Sequence, residues 1–412
     1  MKNIQKIWSK TITYYLVMTT ITVFIFSEFI YRGPFVSLAK AMDGMKIKYA
    51  LMAVTSLYIL MQLIAKRQGL FKMNVFRKES ILYLIAIGSL AVITLFYQML
   101  NGFRAFVIPE FMYVLLPLLF VILIVSTDCI NITRVLDNCF YVAVVAFLLD
   151  SLGAFTDGQN YSINLLDSSS SPFENPSALI LVFLELYFLV RCNGRNVKSL
   201  VCLLLTLLSF KRFSVILALL FFIFAPMIKN KRVPRWILIL AIMIFCSVPF
   251  LLEYFYSYEF AGFFLTKFGM DFNDFTMDRY ARTSYVLKHI GQIKYGFGSV
   301  SHFLTESYGN RDAANRSLHS DLLRIYLECS FVGTLVYNSC YFLSVKENAV
   351  SFMLMVGIFV QMIFNHPIGA GAVGNWIIIY LIVVYFNYRK EIPFYKEGMV
   401  RRKKLKIFGK VI

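Results

Sequence analysis

Apolar residues fill this chain in long continuous runs, and one stretch, residues 253–320, interrupts the succession. A hydrocarbon core about 30 Å thick needs about 20 mostly apolar residues per helix, and run after run meets that length. Backbone groups in lipid must be paired internally, so the runs predict helices. The ~10-residue alternating segments of an outer-membrane barrel are not the pattern here. Runs at 11–31, 47–65, 79–100, 110–126, 138–154, 176–191, 199–210, 213–228, 236–252, 322–345, 349–366 and 375–388 predict about twelve spans. The fold class that follows is an all-α polytopic membrane protein. Residues 1–412 form a single integral membrane domain, with 253–320 inserted as a large extracytoplasmic loop between the ninth and tenth spans.

That loop has a pattern of its own. It opens on EYFYSYEFAGFF (253–264), a run suited to a membrane interface and to a short amphipathic segment lying along it. Further on, Arg279 and Arg282 are three apart and share one face of a predicted helix. Tyr285, Leu287, Ile290 and Ile293 give that helix an apolar side, and the glycines of 296–298 (GFG) are expected to end it in a tight turn.

Composition agrees with the hydropathy pattern. The chain is 59% hydrophobic and 16% charged, against about 25% charged in an ordinary soluble protein. The net charge of +18 would suggest nucleic acid in a soluble chain. Here it follows from basic cytoplasmic loops, and no nucleic-acid partner is implied. Lys2, Lys6 and Lys10 precede the first run. Lys66, Arg67, Lys72, Arg77 and Lys78 follow the second, Arg191, Arg195 and Lys198 the sixth, and Lys229, Lys231, Arg232 and Arg235 the eighth. With alternating spans all of these share one side with the basic tail at 389–412. The positive-inside rule makes that side cytoplasmic, with both termini on it. The first run reads as a signal anchor, being long for a cleavable h-region and lacking a small-residue cleavage site. Loops 155–175 and 366–374 carry no Lys or Arg. Lys211 and Arg212 break the pattern, because alternation puts them outside, where they can face an anion at the membrane surface. The seven cysteines fall within or beside runs and read as small apolar residues.

Candidate chemistry concentrates where the loop re-enters the membrane: Arg316, His319, Asp321 and Arg324. Ser317 or Ser320 can cap the helix that follows. Arg324 already lies inside the run, where a charge costs a few kcal/mol and needs a cavity or a partner. Glu328 is a candidate partner by i,i+4 spacing. His366, in FNHPIGAG, is another histidine at a span end. Glu28, Asp150 and Glu185 lie in or near runs and either line a cavity or pair within the bundle. The four histidines are far apart, and HExxH, DxD, CxxC and GxSxG do not occur. No metal site or cofactor is implied. A site that handles anions without a metal uses fixed cations: arginine forks onto phosphate bidentately, and histidine shuttles a proton near neutral pH.

Three segments, SFKRFSVILALL, DRYARTSYVLKHIGQIKYGFGSV and RSLHSDLLRIYLECSFVG, together with the late large loop, make the chain resemble the O-antigen polymerase and O-antigen ligase family of bacterial envelope enzymes. The resemblance implies a GT-C-like membrane fold and a polysaccharide polymerase of the bacterial cytoplasmic membrane. It implies metal-independent, inverting glycosyl transfer at the outer face, from an undecaprenyl-diphosphate-linked oligosaccharide to a second lipid-linked repeat unit. By that similarity Arg212 and Arg279 or Arg282 hold the diphosphate, and His319 lies beside the reacting groups. Lys211, Arg316, Arg324 and His366 are secondary candidates for diphosphate or glycan contact. A flippase and a chain-length regulator are the protein partners the family suggests. The resemblance does not separate polymerase from ligase, nor capsule from O-antigen or another exopolysaccharide. Two other classes compete, a lipid-linked oligosaccharide flippase and a membrane scaffold. A flippase would be expected to place cations along a central cavity and to show repeated halves, and no self-similar halves occur here.

Overall fold

The computed structural model describes residues 2–44, 47–65, 76–127, 130–156, 173–229, 231–276, 279–292, 295–308, 318–368 and 372–388. Among these residues regular structure is entirely helical. Arg316 and the basic tail at 389–412 lie outside them.

Each apolar run becomes a helix. In chain order these are α1 (Lys2–Phe29), a short α2 (Val36–Gly44) that the runs do not foretell, α3 (Ile47–Ala65), α4 (Arg77–Asn101), α5 (Val107–Ser126), α6 (Ile132–Thr156), α7 (Leu179–Arg191), α8 (Val197–Leu208), α9 (Arg212–Ile228) and α10 (Arg235–Phe255). After the inserted stretch come α15 (Asp321–Ser344), α16 (Ala349–Phe364) and α17 (Val373–Tyr388). Among the described residues six helices are long and apolar enough to cross a membrane: α1 over Lys10–Phe29, then α3, α4, α5, α6 and α10. The chain is therefore a multi-pass helical membrane protein. Helices α8, α9, α16 and α17 are apolar but shorter. At about 1.5 Å per residue, the 12 residues of α8 fall well short of a ~30 Å core.

The two most buried helices are α7 and α17. Every side chain over 179–190 and 373–386 is buried, as expected for helices apolar on all sides. Their neighbours shield them from lipid, which is why α7 can be short. Helix α15 packs most extensively on α4 and α10. It is broken at Ser330, whose φ of 63° and ψ of 177° are not helical.

The bundle has two distinct ends. At one, Arg191 and Lys198 pair with Asp137, and Lys78 and Arg232 face Glu347. At the other, Asp150 accepts from the Tyr31 and Arg32 amides at 2.7 and 3.0 Å, pairs with the Arg32 guanidinium at 2.9 Å and accepts from Asn175 at 3.0 Å. This knots the ends of α1 and α6 to the start of α7. Glu28 accepts from the Gly374 amide at 2.8 Å. Glu185, fully buried on α7, has no hydrogen-bond partner for either oxygen among the described residues.

The inserted stretch joins this second end. It holds α11 (Tyr258–Phe268), α12 (Phe272–Phe275), α13 (Arg279–Lys288), a 3-10 turn at Ile290–Gln292 and α14 (Ser299–Tyr308). Helix α11 buries no side chain and leaves Phe263, Leu265 and Phe268 more than half exposed, the character of an interfacial segment. Helix α13 departs from the expectation in two ways. It ends at Lys288, before the glycines, and its buried face is Thr283 and Val286 rather than the Tyr285 side. Residues 279, 283 and 286 form one stripe of a 3.6-residue helix, so the arginine face turns toward the bundle. Ile293 lies outside the described residues.

The GFG segment does more than end a helix. Phe297 is fully buried, and its amide donates to Thr94 Oγ1 at 3.0 Å. The Gly298 and Val300 amides donate to the two Glu328 oxygens at 2.9 and 2.8 Å, so α15 caps the start of α14. Gly296 has φ of +90°, and a Cβ there would lie 2.6 Å from the Thr94 Cα. Both the backbone region and the space require glycine. Gly296→Ala is expected to cost about 2–3 kcal/mol from strain and overlap, read as a lower melting temperature of the purified protein. An unchanged melt would mean that the segment does not plug the bundle.

Candidate functional site: a cluster of cations around a neutral histidine

Four predicted residues converge at the second end of the bundle. Arg212 is the first residue of α9, whose entry is set by a tight turn through Phe210 (φ 52°). Arg279 and Arg282 come from the inward face of α13. His319 precedes α15, where Ser320 Oγ accepts from the Leu323 amide at 3.3 Å as the N-cap. Arg282 Nη1 lies 2.9 Å from His319 Nε2. Guanidinium only donates, so Nε2 accepts, and the ring is neutral with its proton on Nδ1.

Electrostatics agree with that assignment. Burial first, then Arg279 and Arg282, push the His319 pKa down from 6.5 to about 4, with Asp321 opposing. Burial also lowers the pKa of Arg279. Tyr256 opposes that shift, and Arg282 and Arg212 reinforce it. Arg282 and Arg212 are thus within electrostatic reach of Arg279, and among the described residues no carboxylate forms an ion pair with Arg279. Desolvation of Arg279 beside further positive charge is unfavourable by itself and is relieved by a bound anion.

The other candidates divide. Lys211 pairs with Glu174, whose backbone carbonyl also accepts from Arg32 at 2.6 Å. Arg324 is fully buried and belongs to a neighbouring network. It faces Glu110 at 3.3 Å, Glu328 at 3.5 Å and Asp321 at 3.8 Å, and lies over the Phe297 ring at 4.8 Å. Its setting is that of an internal counter-ion, and Glu328 is one of its partners as the i,i+4 spacing suggests. His366 Nδ1 donates to Asp321 Oδ1 at 2.5 Å, leaving Nε2 to accept from Arg324 Nη1 at 3.3 Å. Asp321 also accepts the Ile368 amide at 2.6 Å. This second network lies directly behind His319. His289 and His302 belong to neither: His289 bonds the Tyr285 carbonyl, and His302 stacks on Phe106 beside Glu306.

Sequence reasoning missed Glu110 and Tyr256. An acidic residue opening an apolar run was the available signal for Glu110. Nothing local marks Tyr256, which reaches Arg279 only through the fold.

Among the described residues no three His, Cys, Asp or Glu side chains gather as metal ligands. No protein-family description, curated protein or solved structure matches this chain.

Proposed function

We propose that this protein polymerises undecaprenyl-diphosphate-linked oligosaccharide repeat units into surface polysaccharide at the outer face of a bacterial cytoplasmic membrane. The observation that carries the reading is the gathering of Arg279 and Arg282 about a neutral His319, with Arg212 beside Arg279, at one end of a membrane bundle. In this reading the chain crosses about twelve times, counting α7, α8, α9, α15, α16 and α17 with the six helices above. The basic residues at the opposite end mark the cytoplasmic side, where both termini lie.

The chemistry follows from the charges. A glycosyl diphosphate loses its sugar when the bond between C1 and the diphosphate oxygen breaks, and the electron pair stays on the diphosphate. Its added negative charge falls where preorganised guanidinium groups stabilise it most. The acceptor hydroxyl oxygen forms the new bond to C1 in a single displacement and releases a proton. His319, neutral and within the cluster, takes that proton once substrate displaces Arg282 from Nε2.

The test is turnover of lipid-linked repeat units by the purified protein in nanodiscs, with product sized at each pH. A base works only while unprotonated, and a lowered pKa extends its working range to lower pH. Activity is therefore expected to hold through mildly acid pH and fall near pH 4, the value to which His319 is pushed. Arg279→Gln removes a charge that depresses it, so the acid limb of the residual activity moves upward. A limb near 6.5 in both proteins would remove His319 as the base.

A further inference from the structure

A cavity of about 800 Å³ opens beside the cation cluster, against the face of α13 that turns away from it. Its walls include Tyr256 and Tyr258, where α10 passes into α11, and Tyr280, Ser284, Tyr285 and Lys288 from α13. Residues 280, 284 and 288 recur every four positions and share a helix face, whereas Arg279, Thr283 and Val286 face the bundle. One short helix thus carries a cation face and a tyrosine–serine face back to back.

Three features define what the cavity takes. Its volume falls in the range of small-ligand sites, about 300–1,000 Å³. Tyrosine rings offer flat apolar faces with a hydroxyl at the edge, which suits a pyranose: the C–H face packs on the ring and the hydroxyls hydrogen-bond around it. The lining carries one acid, Glu253, and one base, Lys288, so it holds no excess charge for a polyanion. Tyr256 joins cavity to cluster. It lines the former, and its pKa, raised by burial, is pulled back by Arg279 of the latter. Tyr258 stands at the rim, 87% exposed.

We infer that this cavity is a glycan subsite: it holds sugar units of the donor chain whose diphosphate lies on the Arg279–Arg282 cluster. The inference rests on the polymerase reading for the identity of the glycan, and on the cavity alone for its affinity for sugar. Ser284→Trp fills the cavity, and Tyr258→Ala strips its rim without touching the bundle. The probe is the oligosaccharide released by mild acid from the host's surface polysaccharide, which carries no diphosphate. Binding to purified protein in nanodiscs is followed by saturation-transfer NMR, with undecaprenyl phosphate as a separate lipid probe.

Ser284→Trp is expected to weaken oligosaccharide binding about ten-fold or more and Tyr258→Ala several-fold, while undecaprenyl phosphate binding by Ser284→Trp stays within about two-fold of wild type. Wild-type protein that shows no transfer, or variants that bind as wild type does, would overturn the subsite. So would a Ser284→Trp protein that loses only undecaprenyl phosphate, because the cavity then takes lipid. Normal surface glycan in the Arg282→Ala strain combined with lost oligosaccharide binding in Ser284→Trp leaves the sugar site standing and removes the polymerase reading.

Discussion

Replacing Arg282 by alanine is expected to abolish long surface glycan in the native host while single repeat units persist. Arg282 acts twice in the proposed site. It donates to His319 Nε2 at 2.9 Å, and its charge adds to those of Arg279 and Arg212. Removing one preorganised donor to a developing anion typically costs about 10²–10³ in rate, enough to empty the long end of a size ladder. Arg279→Ala and His319→Ala should fall in the same range. The Arg279→Ala/Arg282→Ala pair should lose less than the product of the two, because groups acting on one anion are not independent. Lys211→Ala is the contrast: its charge is engaged by Glu174, so a smaller loss is expected. The measurement is a gel of surface glycan by size, with membrane levels of each variant compared in parallel. Unchanged ladders at wild-type levels would remove the cluster from the reaction. Lipid-linked units retained on the cytoplasmic side would instead point to a flippase.

The sequence made the helices legible and left their surroundings dark. The run at 47–65 coincides with α3, and 236–252 lies within α10, because a continuous apolar run is what a lipid-facing or buried helix requires. The run cannot say which of those it is. Thus 176–191, equivalent to its neighbours by composition, becomes the 13-residue core helix α7. Spacing in the loop was informative to the same depth. The three-position spacing of Arg279 and Arg282 fixes a shared face, but the face's direction depends on Thr283 and Val286 finding the bundle end. Partners distant in sequence leave no local trace. Glu110 meets Arg324 across 214 positions, and Phe297 meets Thr94 across 203. The resemblance placed Arg212, Arg279, Arg282 and His319 in one site, and the fold brings those four together. It also separates Arg324 from them, a division that side-chain type alone does not make.

That separation carries the largest expected effect on stability. Arg324→Ala should destabilise the protein by about 3–5 kcal/mol, the usual cost of stranding a buried charge. The side chain is wholly buried and faces carboxylates from three sites: Glu110 of α5 at 3.3 Å, and Asp321 and Glu328 of α15 at 3.8 and 3.5 Å. Glu328 in turn holds the Gly298 and Val300 amides, and Asp321 holds His366 and the Ile368 amide. Without the guanidinium these carboxylates repel one another or take up protons, and the GFG segment and the turn at 366–368 lose their anchors together. Arg324→Lys should recover only part of the loss, since an ammonium cannot reach several carboxylates as a planar fork does. Arg324→Met combined with Glu328→Gln should cost less than Arg324→Ala, because it removes charge from both sides of the network. Thermal melts of purified protein and the monodisperse yield of each variant measure this directly. A melt for Arg324→Ala within about 1 °C of wild type, about 1 kcal/mol or less for a chain of this size, would mean the network does not hold the loop to the bundle. Arg324 would then be available to substrate, and the glycan ladder of Arg324→Lys would decide whether it is used.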